Sequence, residues 1–116
     1  KNINSKILVR RYFPKTKEEL VGIIKAEIEK NGWNCSLNHI DTSRITDMSW
    51  LFSKDYYNGY NLGEFNGDIS RWNVSNVKDM ESMFSLTKSF NQPIGDWDVS
   101  NVTNMRCMFF YADKFN

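Results

Sequence analysis

Apolar positions in the second half of the chain recur at a fixed interval. Phe65, Phe90 and Phe115 follow one another by 25 positions, and each precedes an asparagine. The same interval relates a further set of apolar residues, the pairs Ile69/Ile94, Trp72/Trp97, Val74/Val99, Val77/Val102, Met80/Met105, Met83/Met108 and Phe84/Phe109. Repeats of this length are typical of stacked solenoids, in which each copy buries its apolar face against its neighbours.

A more divergent copy precedes these repeats. Its residues match the next copy at an offset of 32 positions, in the pairs Ser43/Ser75, Ile45/Val77, Asp47/Asp79, Met48/Met80 and Phe52/Phe84. The seven additional positions fit an insertion at residues 54–61, which contains three tyrosines. We therefore divide the chain into a cap, residues 1–36, and a solenoid, residues 37–116. The solenoid has about three repeats, of which the first is degenerate and the last incomplete.

The spacing within one copy predicts two short elements. Trp97 and Val99 alternate with polar residues, which indicates a short strand. Val102, Met105 and Met108 are three positions apart, which predicts a helix of about two turns. The predicted fold class is therefore an α/β repeat. The asparagines that follow the three phenylalanines (Asn66, Asn91 and Asn116) are expected to form a hydrogen-bonded ladder between copies.

The N-terminal segment has a different pattern. β-Branched and aromatic residues at 6–13 predict a strand that ends at Pro14. Thr16 and Glu19 form a capping-box pattern, and Asn31 with Gly32 is a stop signal, so a helix is predicted from about 16 to 31. Its apolar stripe is Leu20, Ile23, Ile24 and Ile28, and its opposite face is Lys25, Glu27, Glu29 and Lys30. This strand and helix are expected to cap the first repeat.

Charge and composition exclude several classes of protein. The net charge is +1, with 15 basic and 14 acidic residues, which argues against nucleic acid as a partner. No apolar run reaches the roughly 18 residues of a membrane span, so direct membrane insertion is not expected.

Residues able to carry chemistry are sparse. His39 is the sole histidine, and the methionines lie at core spacing beside phenylalanines. The aspartates do not form a calcium-loop pattern, and we expect Asp47 and Asp79 to cap helices or turns. Cys35 and Cys107 are interpreted as structural thiols, with a disulfide between them as the alternative. No catalytic residue, cofactor or metal site is expected, and an enzyme is improbable.

Function is expected at positions that vary within the constant repeat. Loop aromatics are common binding anchors, so the aromatic insertion is included with the variable positions. The alternative is that its tyrosines close over the enlarged first coil. The candidate partner-binding residues are Trp50, Tyr56, Tyr57, Tyr60, Arg71, Asp96, Arg106, Phe110 and Tyr111.

The residues from Phe90 to Phe109 resemble a known family. The run FNQPIGDWDVSNVTNMRCMF is similar to the 25- to 26-residue repeat of bacterial surface proteins, the BspA-like or DUF285 family, and the similarity covers 40–116. This resemblance implies a leucine-rich-repeat-like solenoid with adhesion or binding roles, at the cell surface or outside the cell. A native start near Lys1 would instead favour the cytoplasm.

Three functions follow from these observations. The first is a protein-interaction module that binds a macromolecular partner through exposed solenoid faces. The second is a structural or self-assembling spacer, and the third is a small intracellular inhibitor protein of a mobile element. A homo-oligomer through the C-terminal coil is also possible, because the last coil leaves Trp97, Phe109 and Phe110 uncovered.

Overall fold

One α-helix precedes the repeats. In the computed structural model, which describes residues 8–115, helix α1 spans Lys17–Asn31, so the predicted helix is confirmed. Thr16 Oγ1 accepts the amide hydrogen of Glu19 at 3.1 Å, which is half of the capping box. The Glu19 carboxylate accepts from the amide of Lys15 at 2.7 Å instead of that of Thr16. Gly32, with a φ of 92°, ends the helix by donating to the carbonyl of Ile28.

Helix α1 packs its apolar stripe onto the first repeat. Leu20, Ile24 and Ile28 are buried in the same core as residues of the first copy, and Ile23 packs against that core. The assignment of Glu27 to the solvent face is wrong, because this side chain is buried. Its burial is possible because polar groups outside the helix pair with its carboxylate.

The predicted strand at 6–13 is wrong in its described part. Residues 6 and 7 lie outside the described residues, and 8–13 form only an isolated parallel bridge between Tyr12 and Ile40. Two backbone hydrogen bonds surround the bridge. The amide of Arg11 donates to the carbonyl of His39 at 2.7 Å, and that of Asp41 donates to the carbonyl of Tyr12 at 2.8 Å. The segment is therefore attached to the first repeat without forming a ladder.

The predicted fold class, an α/β leucine-rich-repeat-like solenoid of short strands and short helices, is also wrong. Within residues 8–115, α1 is the single helix and no residue belongs to a strand or sheet. Strand-like pairing between repeat copies is limited to two isolated bridges, Asp47 with Asp79 and Asp79 with Asn104. The molecule is a compact globule with a radius of gyration of 13.5 Å.

Turns replace both predicted elements. The amide of Met83 donates to the carbonyl of Met80, and that of Val77 to the carbonyl of Val74, so the three-residue spacing reflects turns closed between residues i and i+3. A helix is interrupted by positive φ at equivalent positions, 62° at Trp50, 54° at Ser82 and 57° at Cys107. Some amides of each turn therefore bond to the neighbouring copy, as that of Ser82 does to the carbonyl of Arg106, while others close turns within their own copy.

Two columns of phenylalanine rings form the centre of the core. Phe52, Phe84 and Phe109 stack in one column, with ring centroids 5.6 and 5.5 Å apart. The other column is Phe65, Phe90 and Phe115, with separations of 6.5 and 5.9 Å. Offset stacking of this kind stabilises aromatic pairs beyond the burial of their area. The repeat register read from the sequence therefore places equivalent phenylalanines on top of one another.

Polar side chains also connect successive copies. The indole of Trp72 donates to the carbonyl of Leu37 at 2.8 Å, and that of Trp97 to the carbonyl of Ile69 at 3.1 Å. In the expected asparagine ladder, Asn66 Oδ1 accepts the amide hydrogen of Asn91 at 2.8 Å, while Asn116 lies outside the described residues. These bonds satisfy polar groups at the edges of the core.

Candidate functional site

The insertion at residues 54–61 places two tyrosine rings in solvent. We call this segment the tyrosine loop. Tyr56 is 86% exposed and Tyr57 is 88% exposed, and their rings meet edge to face with centroids 5.3 Å apart. Neither ring covers the first repeat. Exposed aromatic side chains of this size are typical anchors of protein interfaces.

The tyrosine loop is held by its own hydrogen bonds. Asp55 Oδ1 accepts the amide hydrogens of Tyr57 at 2.8 Å and Asn58 at 2.9 Å. Ser53 Oγ accepts the amide hydrogen of Asp55 at 3.0 Å, and Gly59 donates its own to the carbonyl of Asp55 at 2.9 Å. A Cβ atom at Gly59 would collide with the carbonyl oxygen of Ser53 and lie 2.8 Å from that of Asp55, so only glycine fits. The loop is therefore preorganised.

A second exposed aromatic pair occurs in the third repeat. Phe110 and Tyr111 are 52% and 68% exposed, with ring centroids 4.4 Å apart. Tyr111 lines a surface groove together with Lys54, where the tyrosine loop begins. Leu86, Lys88 and Asp113 complete the groove, which therefore combines one aliphatic side chain with charges of both signs. The groove thus connects Tyr111 to the beginning of the tyrosine loop.

Two of the other predicted aromatic residues lie elsewhere. Tyr60 packs against the core, and the Lys17 ammonium lies 5.9 Å from the centre of its ring. It lines a different groove, with Trp33 and residues of α1. For Tyr60, the alternative that the insertion closes over the first copy is therefore the better description. Trp50 is half-buried and donates its amide hydrogen to the carbonyl of Glu81 at 2.9 Å.

The charged candidates are exposed but occupy other parts of the repeat. Arg71 and Asp96 are equivalent residues, and each lies in the turn that precedes a buried tryptophan. Arg106 is exposed, and its amide donates to Asn104 Oδ1 at 3.0 Å in a local turn. The most exposed candidates are therefore two aromatic pairs, Tyr56 with Tyr57 and Phe110 with Tyr111, and the groove that includes Lys54 is lined by Tyr111.

Sequence reasoning missed a buried polar cluster beneath the N-terminal segment. His39 Nε2 lies 2.8 Å from Glu27 Oε1, and the Tyr12 hydroxyl donates to Glu27 Oε2 at 3.3 Å. The rings of Tyr12 and His39 are in tilted contact at 5.5 Å. Burial raises the pKa of the nearby Cys35 thiol, and the negative charge of Glu27 raises it further. The cluster joins α1, the N-terminal segment and the first repeat.

The aspartates act in turns. Asp47 Oδ1 accepts from both the amide and the hydroxyl of Ser49, at 2.8 and 2.6 Å, and Asp79 Oδ1 accepts from the amide of Glu81 at 2.9 Å. The turn roles are confirmed, whereas helix capping is wrong, because within residues 8–115 no helix follows either aspartate. Partial burial opposes ionisation of Asp47, but the bonds from Ser49 and the charge of Lys17 together lower its pKa.

Three further observations concern chemistry and membranes. No group of three or more histidine, cysteine or acidic residues within 8–115 could hold a metal ion. Both cysteines are free, Cys35 half-buried and Cys107 exposed. In the part of the chain that the structure describes, no helix has the length and apolar character needed to cross a membrane.

Comparison with known proteins identifies a family. No curated protein and no solved structure matches the chain. The family model described as "Mycoplasma protein of unknown function, DUF285" matches residues 24–116, which include the C-terminal half of α1 and all the repeats. Because this match covers well over half of the chain, the protein belongs to the DUF285 family.

Proposed function

We propose that the protein is a protein-interaction module that binds a macromolecular partner through the tyrosine loop and the second exposed aromatic pair, Phe110 and Tyr111. The observation that carries this proposal is the preorganised exposure of Tyr56 and Tyr57, which are 86% and 88% exposed. Tyrosine supplies a large contact area and loses little side-chain entropy when it binds. A loop that is already ordered also avoids the cost of ordering on binding.

The groove next to the loop supports a protein as the partner. Its Leu86 wall is apolar, while Lys54, Lys88 and Asp113 provide charges of both signs at its edges. Lys54 is 2.9 Å from Glu64, so one of these charges is already paired. A mixed polar rim around aromatic side chains matches a protein surface better than a polyanion. The proposed role is binding and not catalysis, at the bacterial cell surface.

The test begins with photo-crosslinking from the loop. A benzophenone side chain at position 57 should crosslink one partner protein, and the same group at exposed Lys25 on α1 should not. With that partner purified, Tyr56→Ala/Tyr57→Ala should raise the Kd by about 30-fold or more, the size expected for an interface anchor. Lys25→Ala is the control and should leave the Kd unchanged.

A second variant separates the position of the rings from their presence. Gly59→Ala keeps both tyrosines but forces the loop backbone to move, because the new methyl group collides with the carbonyl of Ser53. It should weaken partner binding by about tenfold while the circular dichroism of α1 stays unchanged. If both loop variants bind the partner as tightly as the unmodified protein does, the tyrosine loop is not the binding surface.

A further inference from the structure

Tyr60 lies at the end of the tyrosine loop and lines a groove that the proposed function leaves unused. The aromatic part of this groove is the ring of Tyr60 and the indole of Trp33, and its buried aliphatic residues are Ile28 and Leu62. The groove has a volume of about 360 Å³, which lies within the roughly 300–1,000 Å³ of small-ligand sites. We call it the Trp33 groove.

Two backbone features bring its walls together. Gly32 ends α1 with a φ of 92°, and the carbonyl of the next residue, Trp33, accepts the amide hydrogen of Asn66 at 2.9 Å. Trp33 is thereby held beside the segment that follows the tyrosine loop. Asn61 has a φ of 63°, a conformation that asparagine adopts more readily than most residues, and its side chain lines the same groove.

The indole of Trp33 differs from the indoles of the core because it has no partner. The indole N–H groups of Trp72 and Trp97 donate to backbone carbonyls at 2.8 and 3.1 Å. Trp33 is 41% exposed, and within residues 8–115 its indole N–H donates to no protein acceptor. In the same part of the chain, the Tyr60 hydroxyl and the Asn61 side-chain amide also make no hydrogen bond. The groove therefore combines aromatic rings with polar groups that are free to bind a ligand.

The charges at the Trp33 groove cancel. Lys25 and Glu29 are exposed residues one turn apart on α1, and both line the groove. A ligand cation would be opposed by Lys25 and by Lys17, whose ammonium lies 5.9 Å from the centre of the Tyr60 ring. A ligand anion would be opposed by the Glu29 carboxylate. Because like charges repel, a neutral ligand fits this groove better than either kind of ion.

One class of neutral ligand matches both the rings and the polar groups. A pyranose sugar packs the C–H groups of one face against an aromatic ring, and its hydroxyls both donate and accept hydrogen bonds. The Trp33 N–H and the Asn61 amide supply donors, and the Asn61 carbonyl oxygen and the Glu29 carboxylate supply acceptors. A purely apolar ligand would leave these groups unpaired, which disfavours it relative to a sugar.

We infer that the Trp33 groove binds a neutral pyranose unit of a sugar or glycan. The pyranose ring stacks on the indole of Trp33, and Tyr60 supplies a second apolar contact. The hydroxyls of the sugar hydrogen-bond to Asn61 and Glu29. This site is independent of the proposed protein partner, because the exposed rings of Tyr56 and Tyr57 do not line the groove.

The indole N–H signals of the four tryptophans provide a direct test by NMR. The protein is titrated with the methyl glycosides of glucose, galactose, mannose and N-acetylglucosamine. At least one glycoside should shift the Trp33 indole signal saturably. The signals of Trp72 and Trp97 should stay unchanged, because their N–H groups are bonded within the core. A glycan array provides the second arm, and neutral glycans that the protein retains are titrated in the same way.

Three variants assign the binding to the groove. Trp33→Ala should raise the Kd of the sugar at least about tenfold, because the stacking surface is lost. Asn61→Gly removes the side-chain amide and tolerates the positive φ, and it should raise the Kd by about three- to tenfold. Lys30→Ala, at an exposed position of α1 that does not line the groove, is the control and should leave the Kd unchanged. Unchanged circular dichroism of α1 verifies that each variant is folded.

Each possible result supports or overturns the inference. A shift with an array glycan but with no monosaccharide glycoside assigns the groove to a longer glycan and supports it. If neither kind of sugar shifts the Trp33 signal, or if folded Trp33→Ala and Asn61→Gly bind as tightly as the unmodified protein, the inference is overturned. A saturable shift with tetramethylammonium or with free indole, in the absence of any sugar binding, identifies a cation site or an apolar site and equally refutes a sugar site.

Discussion

Phe84 and Phe109 are equivalent residues of consecutive repeats, yet their truncation to alanine should have different effects. Equivalence within the repeat alone predicts equal costs. In the structure, Phe84 is fully buried, and its ring centroid lies 5.6 Å from that of Phe52 and 4.3 Å from that of Phe90. Phe109 has Phe84 on one face and Phe115 nearby, and 38% of it remains exposed. The two substitutions therefore compare the same type of side chain at two degrees of burial.

The magnitudes follow from burial. Replacing a fully buried phenylalanine with alanine costs about 3–5 kcal/mol, of which part is the cavity left behind. Phe109 loses about 62% of its surface to burial (100 − 38). Water can also fill the space that its removal leaves, so we expect a cost of about 1–2.5 kcal/mol. Small domains have only about 5–15 kcal/mol in total, so Phe84→Ala removes a large share.

Urea unfolding followed by tryptophan fluorescence provides the measurement. Both variants should keep the slope of the unmodified protein, so that the shift in midpoint reports the free energy of unfolding. Phe84→Ala should lose about 2 kcal/mol more than Phe109→Ala. Equal losses in the two variants would refute the reasoning, since the last copy would then be as buried in solution as the second.

Three further predictions concern charge, thiols and the contact of Lys17 with the first repeat. The pKa of Asp47 is lowered below its ordinary 3.8, so the associated stability is fully present above about pH 4 and is lost as the pH falls through the lowered value. Ser49→Ala should therefore lower the free energy of unfolding by about 0.5 kcal/mol at pH 7. Urea titrations should show that this difference between variant and unmodified protein vanishes at the lowest pH. Cys107 is exposed, whereas Cys35 is half-buried with a raised pKa, so a thiol reagent followed by mass spectrometry should label Cys107 first, and equal rates would contradict the burial. Lys17→Met should lower the free energy of unfolding by about 1–3 kcal/mol, because the Ser49 carbonyl loses its donor. The same substitution at an exposed lysine of α1 is the control and should have little effect.

The features that sequence predicted correctly depend on local or periodic signals. Helix α1 was predictable because Thr16, the apolar stripe and Gly32 lie within one continuous segment. The registration of Phe84 on Phe109 was predictable because an interval of 25 positions repeats around both residues. In each case the information needed lies in the spacing of the residues themselves.

The backbone path was not predictable in the same way. A spacing of three fits one face of a helix and also a series of i to i+3 turns. Positive φ values distinguish the series of turns from a helix. Because Trp50, Ser82 and Cys107 are not glycines, their residue types do not indicate a positive φ. The amides of Trp50 and Ser82 instead bond to carbonyls of the neighbouring copy, those of Glu81 and Arg106. Those bonds become visible only after the copies are stacked.

The burial of individual side chains was also not predictable, because it depends on contacts with residues distant in the sequence. Tyr60 and Tyr57 lie in one insertion, but only Tyr60 packs against the core. Glu27 is buried because Tyr12 and His39, 15 and 12 positions away, supply its partners. Composition of the helix face cannot reveal such partners. The candidate site is therefore reduced from nine predicted residues to four exposed aromatic residues, Tyr56, Tyr57, Phe110 and Tyr111.

Tyr111 and Phe109 lie in the same repeat copy, yet they should affect partner binding differently. The ring of Tyr111 lines the groove that includes Lys54, whereas Phe109 stacks on Phe84 and does not line that groove. Tyr111→Ala should therefore weaken binding of the crosslinked partner, and Phe109→Ala should leave its Kd unchanged. Equal weakening by both variants would contradict the groove as the site of contact.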